Sequence, residues 1–579
     1  MKPNTSSALD RVHAARGVLR ALTAPGGAFE LVDVQGPPTR RNFAKRDHSV
    51  RELLVRSARR GENEFLVQGD RRVTFGGFAS LVWGTSEALV QRFGLRSGDR
   101  FAVLGPNSLE WLVGLFAATS AGAVGVALNA WWSVQELAFG LQDSGARFLL
   151  IHEDHFEAIE QLIANGAFPA LDVVLVWGQS SDPLSSAVAF HDVMRDGVAV
   201  PDVHIDESDA FVILYTSGTT GEPKGCITTH EGTIAQLRST ILNGIVEREI
   251  NVPARGLEQT DAVERLPPCL LATTPFFHVS GLHAAICLSL AVGSRVVLPR
   301  GRFDPIEALG LIENERITSW GAVPTMVHRL VNSPDAALFD LSSIQHVSIG
   351  GAPLAPEILD RARQLLGYRP KLANGYGLTE THGPVTINAG TELAAKPGSV
   401  GRPNPLLRIR IVDADGCVLP PNDWGEIQVS GVTVTPGYWN RPEATAETIV
   451  DGWLRTGDLG YLDTDGYLFI VDRIKDVIIR GGENVYSIEI ENCIAEHADV
   501  DEVAVLGVPD AELGQRVVAV VRGGGRSQPT EAAIRTHLAD RLARFKVPDR
   551  VYIVEEPLPR NAAGKVVKAA LRTALDLKP

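Results

Sequence analysis

The sequence predicts a large layered α/β body with a β-rich subdomain, followed by a small α+β unit, and three observations carry that expectation. Up to about residue 470, short apolar runs alternate with helix-patterned stretches, as β and α units in layers do. From about 405 to 471 the pattern changes to alternating strands with Gly/Asp turns: "RIRIVDADG", "GEIQVSG" and "DTDGYLFIVD". Beyond the polar joint "DRIKD" (472–476) a shorter stretch carries two strand-like runs and one helical pattern, and little apolar material crosses the joint. The joint therefore closes the body at 471 and opens the small domain, 472–579. At 579 residues the chain exceeds one ordinary domain.

Taken in order, residues 1–60 are arginine-rich but interspersed with acids such as Asp10, Glu30 and Glu52, and they show no signal-peptide pattern. A solvated surface segment is expected there. "FAVLG" (101–105) and "RFLLIHE" (147–153) read as strands. The uncharged stretch 111–132 is long enough to cross a bilayer, but "SAGA" breaks it in the middle. A helix, a tight turn and a buried parallel strand account for it better. "APEILDRARQLLG" (355–367) reads as a helix with Pro356 in its first turn and Gly367 as its stop. In the small domain "VAVLGV" (503–508) and "VVAVV" (517–521) read as strands. "TEAAIRTHLADRLARF" (530–545) reads as a helix with Ile534, Leu538, Leu542 and Phe545 on one face.

Composition narrows the function classes. Apolar residues make up 45%, and the formal net charge is −14. An acidic surface argues against nucleic acid or an anionic membrane as the main partner. The five cysteines are widely spaced and form no C-x-x-C, which points to a reducing, cytoplasmic setting with five buried thiols rather than disulfides or structural zinc.

The chemistry concentrates first in "YTSGTTGEPKG" (215–225), directly after the apolar run "FVIL". Successive backbone N–H groups in a glycine-rich loop form an anion-binding nest. Thr216, Ser217, Thr219 and Thr220 add hydroxyls, Gly218 and Gly221 add freedom, and Lys224 adds charge. A polyphosphate fits that sum. The loop is not a Walker A sequence, because Pro223 falls where the second glycine belongs. The bland alternative, a solvent turn, explains neither the lysine nor the hydroxyl density.

The loop resembles the phosphate loop of the adenylate-forming superfamily, which includes acyl-CoA synthetases, luciferases and the adenylation domains of peptide synthetases. Further motifs of that family follow in order: "SIGGAP" (348–353), "NGYGLTE" (374–380), "LRTGD" (454–458), "DRIKDVIIRGGENVYSIEIE" (472–491) and "LPRNAAGKV" (558–566). The resemblance spans about 50–570, which implies an N-terminal extension of 1–50, left uninterpreted, before a body of 51–471. It implies a mobile C-terminal domain and the substrates and cofactors ATP, Mg²⁺ and coenzyme A.

Residue by residue, the resemblance implies that Tyr376, flanked by Gly375 and Gly377, packs on adenine. Gly351, Ala352 and Pro353 would lie opposite and Asn374 near the amino group. The glycines themselves suggest an exposed ring able to stack on a flat base. Thr379 would bond the α-phosphate, and Glu380, with Thr216, would hold Mg²⁺. Asp458 would bind ribose with Arg473 as companion. Lys565 would bridge the substrate carboxylate and the α-phosphate, and Lys475 sits at the hinge position. Gly481 and Gly482 would let pantetheine pass close to the backbone. The bland alternatives are a core tyrosine, a turn aspartate and an exposed tail lysine. Two departures stand out: Asp472 where glycine is usual and Ser487 where proline is frequent.

"TTPFFHVSGL" (273–282) resembles the acyl-pocket flank, with His278 at the carboxylate entrance; a satisfied buried histidine is the alternative. "FFHVSG" offers no aspartate for an α-ammonium, which disfavours amino acid substrates. The implied activity is an AMP-forming acyl-CoA synthetase acting on a largely apolar, fatty-acid-like carboxylic acid. The alternatives are a ligase that loads a carrier protein and, from another class, an inactive nucleotide-binding regulator.

Overall fold

A computed structural model describes residues 5–34, 39–178, 187–216, 223–251, 266–301, 303–350, 356–367, 371–497, 499–510, 512–523, 528–539, 541–560 and 566–575. The body contains two large sheets. In the seven-stranded sheet, Lys224–Thr229 lies at one edge beside Ala210–Thr216, followed by Val124–Ala127, Arg100–Leu104, Phe148–His152, Val173–Trp177 and Val188–Ala189. Its interior strands are parallel, and only the edge hairpin of 210–216 with 224–229 is antiparallel. Runs such as "FVIL" and "FLLI" are apolar throughout because helices cover such strands on both faces.

The nine-stranded sheet is parallel across Lys371–Leu378, His346–Gly350, Ser319–Ala322, Cys269–Ala272, Arg295–Leu298 and Glu64–Gln68. A third, antiparallel sheet holds Leu407–Val412, Gly425–Gly431, Trp453–Leu462 and Leu468–Arg473. This is the β-rich region expected from the 405–471 pattern.

Past 476 a separate antiparallel-dominated sheet takes over: Ile478–Arg480, Glu483–Val485, Val500–Asp510, Gly514–Gly523 and Arg550–Val554. Its apolar clusters draw only on residues from 478 onward, and those of the body stop at Ile470. No apolar cluster among the described residues spans the joint.

The stretch 111–132 resolves as expected, into the helix Leu109–Ser120 and the buried strand Val124–Ala127. No helix among the described residues is long and apolar enough to cross a membrane. The helix at 356–365 forms, and Gly367 takes a φ of +72° beyond it.

Three expectations are corrected. The N-terminal segment is not a solvated tail. Its helix Thr5–Thr23 packs on the helices His230–Asn251 and Gly390–Ala395, and Phe29 and Phe43 are buried in a cluster with Ala235, Leu242, Leu406 and Val432. The helix expected over 530–545 is Glu531–Ala539; Ile534 and Leu538 face the core, while Phe545 is 38% exposed in a separate 3₁₀ turn before Pro548. Cys417 is exposed, so only four of the five thiols are buried.

Candidate active site

The loop expected to bind phosphate, with Ser217, Gly218, Thr219, Thr220 and Gly221, lies outside the described residues, as do Gly351, Ala352, Pro353 and Lys565. Both flanks of the loop are defined. Thr216 ends the strand 210–216, and Lys224 opens its antiparallel partner, paired with Thr216 in register. A β-hairpin thus presents the loop at the sheet edge, where the backbone groups of 224–229 would otherwise be unpaired.

That edge is covered by "TPGYWN" (435–440). Trp439 N–H donates to the Gly225 carbonyl (2.7 Å), and Ile227 N–H donates to the Gly437 carbonyl (3.1 Å). The Thr435 hydroxyl donates to the Ile227 carbonyl (2.7 Å), while its N–H donates to the Glu380 carbonyl (2.8 Å). The segment therefore clasps the loop's return strand to the turn that carries Thr379 and Glu380. Its side chain Tyr438 donates its hydroxyl to Glu380 Oε1 (2.8 Å) and lays its ring 5.3 Å from Lys224 Nζ. Burial, then the Glu380 charge, pushes the Tyr438 phenol up, so it remains a proton donor. Cys226, buried beneath, is likewise pushed up and is no nucleophile.

The Glu380 turn is rigidly backed. A Cβ on Gly377 would stand 2.2 Å from the Gly383 carbonyl oxygen, so that position accepts only glycine. His382 follows in left-handed backbone (φ 58°); its Nε2 accepts from Thr229 N–H (2.8 Å) and its Nδ1 faces the Thr433 carbonyl (2.8 Å). Burial holds His382 near a pKa of about 3, His230 at about 3 and His283 at about 4, so all three are neutral.

Tyr376 occupies the strand that ends in this turn. It is not the exposed ring expected from its glycines. It packs on the cluster of Val385, Leu407, Ile427 and Val429, and its hydroxyl donates to Asp458 Oδ2 (2.6 Å). Arg473 Nε pairs with Asp458 Oδ1 at 3.0 Å, so Asp458, 3% exposed, has both oxygens engaged. Burial and the Asp458 charge push the Tyr376 phenol up. The structure thus joins Tyr376, Asp458 and Arg473 directly, with Asn374 two residues up the strand.

His278 N-caps a one-turn helix that runs into a π-helical stretch, Leu282–Cys287. Asn107 pins the segment ahead of it, donating to the Thr274 carbonyl and accepting from Phe276 N–H (both 2.9 Å). Trp320 Nε1 donates to the Thr273 hydroxyl (3.0 Å). His278 lies against Phe277, Phe277 against Trp131, Phe276 against Trp111, and Trp320 against Phe303. Rings dominate the stretch, with Asn107, Thr273 and Thr274 as polar groups that fix its backbone and Trp320.

At the joint, Lys475 is exposed in the 3₁₀ turn Ile474–Asp476. Gly481 and Gly482 form the tip of the hairpin of 478–480 with 483–485, both at positive φ (59° and 86°) and both exposed. The two departures from the family pattern meet each other. The buried Asp472 carboxylate accepts from the Ser487 N–H and from its hydroxyl (3.2 Å). Lys568 Nζ donates to the Ser487 hydroxyl (2.7 Å) and pairs with Glu491 (2.8 Å). Elsewhere in this domain Cys493, Glu496 and His537 bring donor atoms together, but Arg541 already stands 3.8 Å from Glu496.

Tyr438, Thr435 and Asn107 went unread in the sequence. The glycine-aromatic run "PGYWN" was the one available signal for Tyr438.

Comparison with known proteins places these features. The family model for AMP-binding enzymes matches residues 54–439, and that for the AMP-binding enzyme C-terminal domain matches 489–565. The chain is 35% identical over 479 residues to a feruloyl-CoA synthase from Amycolatopsis sp, covering 83% of this chain and 89% of that one. It is 33% identical over 504 residues to the long-chain-fatty-acid–CoA ligase FadD13 of Mycobacterium tuberculosis, covering 87% and 93%. It is 34% identical over 488 residues to the fatty acid–[acyl-carrier-protein] ligase ScoC of Streptomyces coeruleorubidus, covering 83% and 87%. The anthranilate CoA ligase AuaEII, solved with anthranoyl-AMP, superposes with a TM-score of 0.80 at 25% identity, covering 91% and 97%. The chain belongs to the AMP-binding enzyme family, as an AMP-forming acid–thiol ligase that uses ATP, Mg²⁺ and coenzyme A.

Proposed function

We propose that this ligase activates a largely apolar, fatty-acid-like carboxylic acid. The observation that carries the substrate class is the run of rings about residues 276–278, with His278 against Phe277, Phe277 against Trp131 and Phe276 against Trp111, in a stretch "FFHVSG" that itself holds no aspartate. Burying an unpaired ammonium there would cost several kcal/mol, roughly, whereas an acyl or aryl chain gains from burial.

In the first step a carboxylate oxygen attacks the α-phosphorus of ATP, the bond to pyrophosphate breaks, and an acyl-AMP anhydride forms. Lys224 and the loop amides neutralise the departing phosphates, Thr379 bonds the α-phosphate, and Lys565 joins the two reactants. The Tyr376 face and the Asp458–Arg473 pair orient the nucleoside. The Glu380 carboxylate with the Thr216 hydroxyl offers an all-oxygen donor set that fits a hard cation. Bound there, Mg²⁺ supplies charge neutralisation on the phosphates. In the second step the CoA sulfur attacks the acyl carbon, the carbon–oxygen bond to AMP breaks, and the thiol proton passes to solvent. Turning about Lys475, the domain beyond it withdraws Lys565 and brings the Gly481–Gly482 tip to the thiol.

His278 lines the entrance for the carboxylate. A second reading, transfer to a carrier protein, draws on the likeness to ScoC. A panel of fatty, aryl and amino acids assayed for pyrophosphate release tests the substrate class: an amino acid as best substrate would overturn it. AMP release that requires a carrier protein and ignores CoA would favour the second reading.

A further inference from the structure

We propose that Tyr438 is a positioning residue of the phosphate-transfer site, a spacer that keeps Lys224 and Glu380 available to the nucleotide by keeping them from each other. The inference rests on the roles given above to those two residues. A lysine and a glutamate converging on one polyphosphate are, before it arrives, each other's natural partners. In this structure no ion pair joins Lys224 to Glu380; instead the phenol ring of Tyr438 is interposed, its face toward Lys224 Nζ at 5.3 Å and its hydroxyl on Glu380 Oε1 at 2.8 Å.

The chemistry of the spacer suits the task. A neutral phenol gives one proton to one carboxylate oxygen, which leaves Glu380 its negative charge and its second oxygen for a cation. A ring face attracts an ammonium without neutralising it, so Lys224 is held yet remains a full charge. The ring itself has little freedom. Tyr438 forms a β-bridge with Cys226, its N–H donates to the Thr445 hydroxyl (3.0 Å), and its neighbours are zipped to the edge strand. A side chain locked by its own backbone positions others without a cost at the moment of binding.

Calorimetry with α,β-methylene-ATP, which binds but cannot give up its adenylyl group because the α–β bridge does not break, tests this in the full-length chain across a Mg²⁺ titration. Tyr438→Phe keeps the ring over Lys224 and loses the bond to Glu380. The Mg²⁺ concentration that half-saturates the effect on binding should rise about tenfold, while metal-free nucleotide binding changes by less than about twofold. Tyr438→Leu removes the spacer, so metal-free binding should also weaken, by about tenfold, as Lys224 turns to Glu380. Adding Glu380→Gln to Tyr438→Leu should restore that metal-free binding. A Tyr438→Phe titration that overlays the unmodified protein overturns the proposal. So does a Tyr438→Leu defect that Glu380→Gln fails to relieve, the sign of general structural damage. Separately, if Glu380→Gln alone leaves the Mg²⁺ dependence unchanged, the assignment of the metal to Glu380 falls, and the inference with it.

Discussion

The clasp on the strand 224–229 and the joint before the small domain solve opposite problems with different residues. At the clasp, "TPGYWN" is bonded through its backbone to an edge strand and to the Glu380 turn, beside the core of the body. At the joint, Asp472, Ser487, Lys568 and Glu491 form a polar chain, and among the described residues no apolar cluster passes through it. Contacts across the joint include the ring of Trp424 against Tyr486 and His328 within 3.2 Å of Asp501. Apolar burial with backbone pairing fixes one geometry, whereas a few polar bonds near a hinge can be exchanged for others. The comparison teaches that charge placement is built into the body, and that the small domain is left free to change its.

The largest effect expected from breaking this contrast is at Lys565, the lysine proposed above to join the two reactants. Lys565→Ala should slow pyrophosphate release by at least about a hundredfold, while thiolysis of preformed acyl-AMP stays within a few-fold. An unchanged forward rate would remove that residue from the first step.

Next comes Asp458, which belongs to the body but pairs with Arg473 at the very edge of the joint. Asp458→Ala leaves a guanidinium and the Tyr376 hydroxyl without their partner. Steady-state kinetics should show the KM for ATP rising about thirtyfold, roughly 2 kcal/mol, with a smaller change in kcat.

The buried histidines behind the clasp give a pH signature to the body alone. His230, His283 and His382 stay neutral in the folded chain down to about 3, 4 and 3, whereas unfolded histidine takes up a proton near 6.5. Below 6.5 the unfolded chain therefore binds more protons, and stability is lost as pH falls from there toward 4. At pH 5 each histidine should cost about 2 kcal/mol relative to pH 7.5. Calorimetric melting should show the body transition dropping over this range. A body transition independent of pH between 7.5 and 5 would mean the histidines are solvated.

The smallest effect tests the joint itself. Asp472→Gly with Ser487→Pro restores the residues usual in the family and removes the bonds between them. Protease cleavage near Lys475 should quicken about threefold, with ATP–pyrophosphate exchange unchanged within about twofold. A large loss of exchange would show that this polar chain is part of the catalytic conformation.

What the sequence offers of the site is local: the density of glycine and hydroxyls after "FVIL" is read within ten residues, and the structure defines the two strands, 210–216 and 224–229, that flank it. What was missed depends on pairing across the chain. Tyr438 matters only because 437–439 zips to 225–227, more than two hundred residues away. Tyr376 looked exposed beside its glycines, but Asp458 and the strands at 407–412 and 425–431 enclose it. The N-terminal segment looked solvated by its arginines, yet Phe29 and Phe43 flank Arg238, whose guanidinium lies 5.0 and 5.3 Å from their rings. Phe545 matched the helical period, but the helix stops at Ala539, before the period reaches it.

The central claim is that the acid is activated as its adenylate. An acid labelled with ¹⁸O in its carboxylate, turned over with ATP and CoA, decides it by mass spectrometry of the nucleotide product. The account predicts AMP carrying one ¹⁸O, because the carboxylate oxygen bonded to phosphorus leaves with it. Label found in inorganic phosphate beside ADP, or AMP without label, would contradict it.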